Sequence, residues 1–379
     1  MAASNSLTFV TLLPLVLVMV LYIGAINMVM GLPRTAVEDE VSGISSSFWQ
    51  QLLPSTVSIP PILRSSVSPV EDTLTADRFA AAISRGAIFP ATAAAFCKAA
   101  GLICEQDIDI GPYTSSSSQQ QHLHGPHPAA GAAPRAIGIK TINDFQFDFF
   151  LEDQLVKGGQ MKLVENLHDP IPKRAFLPFV VAESLPALTT PNLPQLLHTF
   201  NIDEGSKMAT IMGTAVYLCE SPALMGEERA CPTSVEAMAD FVSSEIGTNV
   251  EVLATTGAPS AAPNSSNSRP VKILEFSKRS LREGEHIVIC HNLMFPSQLY
   301  YCHHVTGTKV VQASLLQHQE EEEGNTGSSS SIIHAVAICH LDTSMWASEH
   351  PAFAALNIPR GAEACHWSGQ NDLVWMATR

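Results

Sequence analysis

The chain has 379 residues and a formal net charge of −15, from 36 acidic and 21 basic residues. That balance speaks against nucleic acid as a partner, because such binding rests on Lys and Arg contacts to phosphate. It also speaks against simple ion-exchange attachment to an acidic polysaccharide. A hydrophobic fraction of 46% is ample for a core, and the length accommodates two domains of ordinary size.

Residues 7–26 are almost continuously apolar, broken only by Thr8, Thr11, Pro14 and Gly24. Small residues follow, and the segment reads as a secretory signal peptide, residues 1–31, cleaved after Ala25 or Gly31. The competing reading is an uncleaved anchor, since about 20 apolar residues can span a bilayer. Membrane contact is expected only in that case.

Residues 32–142 read as a variable leader. Phe48 and Trp49 near its start suggest a short docking segment. Residues 76–89 are helix-prone, with Phe79, Ala82, Ile83 and Ala87 near helical spacing, and Pro90 is expected to end them. A second short helix is expected over 91–100, with Gly101 as its stop. Residues 115–134 are rich in Ser, Gln, His, Gly and Ala and read as a linker. His122, His124 and His127 within it are expected to be solvated rather than metal-bound.

A domain is expected from 143 to 379. Residues 144–150 alternate as a strand, and 192–200 and 234–246 read as helices. Residues 259–270 form a Pro, Ser and Asn loop holding a sequon at Asn264, a candidate glycosylation site. From Val271 the chain is strand-rich. Residues 286–290 and 299–305 read as a β-hairpin around 294–297, and 308–314 as the partner of 332–339. The acidic, Ser-rich run 317–331 reads as an inserted surface loop.

The eight cysteines, Cys97, Cys104, Cys219, Cys231, Cys290, Cys302, Cys339 and Cys365, are even in number and lie outside the apolar run. In a secreted chain they read as disulfides. Proximity suggests Cys97–Cys104, Cys219–Cys231 and Cys290–Cys302; counting alone leaves the full connectivity open.

Four cysteines are followed directly by histidine: Cys290-His291, Cys302-His303, Cys339-His340 and Cys365-His366. Gaps of 10, 35 and 24 residues separate the pairs, and Trp375 follows after eight more. Successive side chains on a strand point to opposite faces. If each pair lies on a strand, the cysteines face one way for disulfides and the histidines the other. His291, His303, His340 and His366 then form a candidate metal site, with imidazole chemistry suited to copper or zinc. Structural histidines bonded within a β core are the other reading. His304, beside His303, should face away from this set.

This pattern resembles the BURP domain of plant proteins. The first gap and the spacing from His366 to Trp375 carry the resemblance. So do Phe149-Phe150, Phe176-Leu177-Pro178, and the blocks around Cys219, Glu227, Glu228, Cys231 and Ala335–Ser344. The gap between the second and third pairs is longer than the family usually allows. The expected fold is α+β, mostly β: a disulfide-stapled BURP domain of antiparallel sheets with flanking helices. The resemblance implies a secreted protein of the cell wall or extracellular matrix, non-enzymatic, acting in development or stress. Its expected partner is a wall polysaccharide such as pectin, or a wall protein. The alternative it implies is a copper-dependent peptide cyclase, with copper as cofactor and Trp49 or Tyr113 as candidate substrate residues. No catalytic residue is assigned from sequence: G-x-S-x-G, H-E-x-x-H and P-loop signatures are absent.

Overall fold

The computed structural model describes residues 61–108, 149–164, 167, 171–223, 227–258, 268–282, 285–318 and 330–378. The apolar N-terminal run, the Phe48-Trp49 motif, Tyr113, the 115–134 linker and the sequon at Asn264 lie outside them. So do residues 144–148 of the expected first strand.

Three helices come first: α1 (Pro61–Arg64), α2 (Leu74–Ser84) and α3 (Pro90–Ala99). Thr73 caps α2 by accepting the Ala76 N–H. Pro90, expected to end a helix, instead opens α3, where its missing N–H costs little. The chain leaves α3 through Gly101 in a left-handed conformation (φ +69°) that a side chain would strain.

Next come β1 (Phe149–Phe150), β2 (Gln160–Val164), α4 (Phe179–Ala182), α5 (Leu193–Phe200), α6 (Lys207–Glu220), β3 (Arg229–Ala230) and α7 (Val235–Ile246). Ser206 and Ser234 cap α6 and α7 by accepting the N–H three residues on. The remaining elements are β4 (Val250–Leu253), β5 (Ser268–Ser280), β6 (Ile287–Leu293), β7 (Leu299–Val305), β8 (Thr308–His318), β9 (Ser330–His340), α8 (Pro351–Leu356), β10 (Ala364–Trp367) and β11 (Leu373–Ala377). Strand β5 begins inside the expected 259–270 loop: Pro270 stands opposite Lys162 of β2. Strands β8 and β9 likewise trim the expected 317–331 loop from both ends.

The strands form two antiparallel sheets, one ordered β1-β10-β9-β8-β5-β2 and the other β3-β7-β6-β11-β4. They pack face to face through an aliphatic layer. Ile287, Ile289, Val374 and Met376 of the five-stranded sheet meet Val310, Val336 and Ile338 of the six-stranded one. On the opposite face of the larger sheet, Phe150, Leu163, Val311, Leu315, Ala337 and Trp367 form a second apolar cluster with Leu155.

A separate helical core joins α2, α3, α5 and α6 to the tip of the β6–β7 hairpin. Phe79 and Phe96 stack with ring centroids 3.8 Å apart. They share this core with Leu196, Phe200, Met212, Leu293 and Phe295. Burying each ring is worth about 2–3 kcal/mol. Backbone bonds tie the same segment down: Phe176 N–H donates to Ser66 O, Ala175 N–H to Gly101 O, and Ile103 N–H to Pro296 O. Residues 61–108 are therefore part of the same packed body as the strands.

The architecture is α+β, with antiparallel sheets, flanking helices and four disulfides: Cys97–Cys104, Cys219–Cys231, Cys290–Cys302 and Cys339–Cys365. Among the described residues no helix is long and apolar enough to cross a membrane.

Candidate metal centre

Two cross-strand disulfides organise the site. Cys290 of β6 stands directly opposite Cys302 of β7, and Cys339 of β9 directly opposite Cys365 of β10. The Cα atoms are 3.9 Å apart in both. Strand alternation then sends each neighbouring histidine to the other face. His291 lies opposite Tyr301 and His303 opposite Ile289, so the two imidazoles are diagonal neighbours. His340 opposite Ala364 and His366 opposite Ile338 repeat the arrangement. Ring centroids are 5.5 Å apart in each pair.

The two pairs come from different sheets and meet at one end of the inter-sheet layer. Of the sequence-expected residues, His291 pairs with His303 and His340 with His366, and the two pairs are close enough to couple electrostatically. All four are buried, at 3%, 0%, 5% and 2% exposure. Burial, then the neighbouring His291, pushes the His366 imidazole down to about 3. His340 is held well below the ordinary range by burial and then by His366, His303, His350 and His291. His303 is lowered by burial despite the opposing pull of Glu227. These three rings are therefore neutral at physiological pH, the form in which imidazole binds a metal.

Acceptors hold the outer nitrogen of two rings, and a carboxylate lies near that of a third. Glu227 Oε1 lies 2.5 Å from His303 Nδ1, and Asp372 Oδ2 lies 3.5 Å from His291 Nδ1. The Trp367 carbonyl lies 3.4 Å from His366 Nδ1. A carboxylate or carbonyl can only accept, so Glu227 and the Trp367 carbonyl fix the proton of His303 and His366 on Nδ1 and leave Nε2 as the lone-pair nitrogen. Such partners are what orient the histidine ligands of metal centres. Asp372 is itself fixed by the N–H groups of Asn292 and Gly369.

The His340 and His366 Nε2 atoms are 3.4 Å apart. Two nitrogens bound to one ion at about 2.0–2.1 Å stand roughly 2.9–3.4 Å apart for square to tetrahedral angles. The donor set and this one spacing fit a nitrogen-preferring ion such as copper or zinc. Among the described residues, no group of three or more His, Cys, Asp or Glu side chains is already arranged to hold one. His291 and His303 would have to close on the His340–His366 pair.

Sequence reasoning missed several neighbours. Tyr301 shares the β7 face with His303, ring centroids 5.4 Å apart, and burial and the Glu227 charge push its phenol up to about 12. Trp346 and His350 lie against the second pair, with Trp346 5.0 Å from His340 and 4.2 Å from His350, ring to ring. Asp372 was discoverable from its position six residues after His366, in a turn leading into β11. Trp346 and His350 carried no such signal. The buried Arg174 clamps the hairpin tip, donating to Ser297 O, Pro172 O, Asn292 Oδ1 and Leu293 O. Of the carboxylates in the family-like blocks, only Glu227 reaches the site. Glu152 instead bridges Lys278 and Lys309, and Glu220 accepts from Thr190.

The paired disulfides, the diagonal histidines behind them and Trp375 buried on β11 are the framework of one family. The chain belongs to the BURP domain family, whose model matches residues 148–377. Among curated proteins it is similar to "Polygalacturonase non-catalytic subunit AroGP3" of Solanum lycopersicum, 34% identical over 229 residues, 60% of this chain and 34% of that one. "Polygalacturonase 1 beta-like protein 3" of Arabidopsis thaliana is 36% identical over 241 residues, 62% of this chain and 36% of its own. "BURP domain-containing protein 14" of Oryza sativa subsp. japonica is 34% identical over 231 residues, 60% and 30% of the two chains. The match spans about a third of the length of these relatives.

Proposed function

We propose that this is a secreted, non-enzymatic BURP protein of the plant extracellular matrix, active in development or stress. In this reading it associates with a wall enzyme or with pectin, and its histidine cluster is a buried copper site. The observation that carries the reading is the burial of four imidazoles, two of them held through Nδ1, where a polymer cannot reach them. Copper held there would supply either a structural clamp between the sheets or a redox couple. His340 and His366 would take it first, with His291 and His303 closing from the other sheet. Four disulfides support an oxidising compartment. Relatives named as non-catalytic polygalacturonase subunits support partnership with a wall hydrolase.

The experiment is wall fractionation and co-purification. Tagged protein expressed in a plant should reach the apoplast and carry a polygalacturonase with it, without hydrolysing pectin itself. Retention inside the cell, or pectin hydrolysis by the purified chain, would overturn the reading.

One observation favours the cyclase alternative: an oxidisable phenol, Tyr301, lies beside His303. Oxidative cross-linking removes hydrogens, so an intact mass below that of the four-disulfide chain after copper loading would select it.

A further inference from the structure

The β6–β7 hairpin carries histidines on both faces. His304 lies opposite Val288, one residue beyond the His303–Ile289 pair, and so points away from the buried cluster. His286, two residues before Val288, comes to the same side, and the rings of His286 and His304 are 5.0 Å apart, centroid to centroid. This is the diagonal arrangement of the buried pairs repeated outside them. Two imidazoles sharing one ion at about 2.0–2.1 Å and near-tetrahedral angles have centroids roughly 5 Å apart.

Glu245 completes the feature. Its Oε2 lies 2.7 Å from His304 Nδ1, which fixes the proton there and makes Nε2 the ligating nitrogen. Glu245 is the second-last residue of α7, whose last turn contains no basic residue. A carboxylate beside helix C-terminal carbonyls makes the spot electronegative and favours a cation. The His304 and Glu245 side chains are 12% and 18% exposed, so the pair lies near the protein surface. Among the described residues, nothing hydrogen-bonds His286 Nδ1.

We propose that His286 and His304, with Glu245 orienting His304, form a second site for a late-transition-metal ion such as Cu(II) or Zn(II). Water fills the remaining coordination positions. The site joins the C-terminal end of α7 to the hairpin and is independent of the buried cluster.

The test is titration of the untagged, secreted chain with Cu(II) and Zn(II) by calorimetry. His122, His124 and His127 are replaced by alanine throughout to silence the linker. His286→Ala and His304→Ala should each lose one equivalent or weaken it at least tenfold. Glu245→Gln should weaken it several-fold without removing it. His340→Ala/His366→Ala should keep this equivalent, which separates the outcome from the fate of the buried site. Should His304→Ala not fold, judged by melts in chelator, His286→Ala alone carries the test. The proposal is overturned if the His286 and His304 variants bind as the parent does, or if the equivalent appears only at millimolar metal.

Discussion

His340 and His366 face each other across β9 and β10 with their Nε2 atoms 3.4 Å apart and their rings within 15° of parallel. Both are neutral and buried, so this is a contact between two nitrogens rather than between two charges. Replacing His366 by alanine should weaken Cu(II) binding at least tenfold. The lost packing should lower stability by about 1–3 kcal/mol. All four disulfides should survive. Copper titration with mass-spectrometric disulfide mapping checks this; copper affinity equal to the parent's would make the imidazoles structural.

The disulfide behind that pair should show the opposite profile. Replacing Cys339 and Cys365 together by alanine opens a loop with a sequence separation of 26. In the chain-entropy model that costs about 3.5 kcal/mol. Copper affinity should fall only as far as the fold loosens. Urea unfolding beside copper titration distinguishes the two effects. In the parent, thiol titration under denaturing, non-reducing conditions should find no free thiol, since all eight cysteines are paired.

Arg174 offers a sharper stability test. Its guanidinium donates to three oxygens of the hairpin and to the Pro172 carbonyl. Arg174→Met would leave those acceptors buried without it, at a cost of about 3 kcal/mol. A thermal melt within a degree or two of the parent's would show that the clamp is redundant.

Glu71 sets a pH dependence. Its carboxyl is raised from 4.5 to about 7 by burial, against the pull of the Phe179 N–H and with help from Glu236 and Asp72. A raised carboxylate binds its proton more tightly in the folded state. Its contribution is therefore fully present below 4.5 and lost as pH rises through about 7. Glu71→Gln should flatten stability across that window and raise neutral stability by about 1 kcal/mol, after discounting for partial exposure. Chemical unfolding at several pH values reads this directly.

The leader helices lead to a prediction about truncation. A chain starting at residue 145 lacks Phe79, Phe96 and Ile83 and bares Leu196, Phe200 and Phe295. It should aggregate or bind a hydrophobic dye, whereas a chain starting at residue 58 should not. Size-exclusion chromatography of the two decides it.

Much of this framework was legible because strand alternation is a strict rule. Adjacency of Cys and His implied two faces, and proximity indicated three of the four disulfides. The hairpin 286–305 and the pairing of 308–314 with 332–339 followed from apolar runs and turn residues. The packing of α2 and α3 was not legible. Periodicity revealed that Phe79 and Ile83 share a face, but their cover comes from Leu196 and Phe295, over 100 residues away. Tyr301 was missed for a related reason: its importance comes from register across strands, which a single chain does not display. Helix α6 was missed as well, its six buried positions being spread through a run with little amphipathic contrast.

A hairpin turn is ordinarily where a protein best tolerates added length. Here Met294, Phe295 and Ser297 are wholly buried between helices, and Arg174 grips the carbonyls at either end. The ten residues separating the first two Cys-His pairs therefore act as a ruler. One residue more would slide Cys302 past Cys290, turn His303 to the wrong face and push the tip out of its socket. The gap of 24 between the third and fourth pairs is filled by α8 and its loops instead of a tight turn, and no such ruler governs it. Insertion scanning should find the first gap intolerant to a single residue and the last far more permissive.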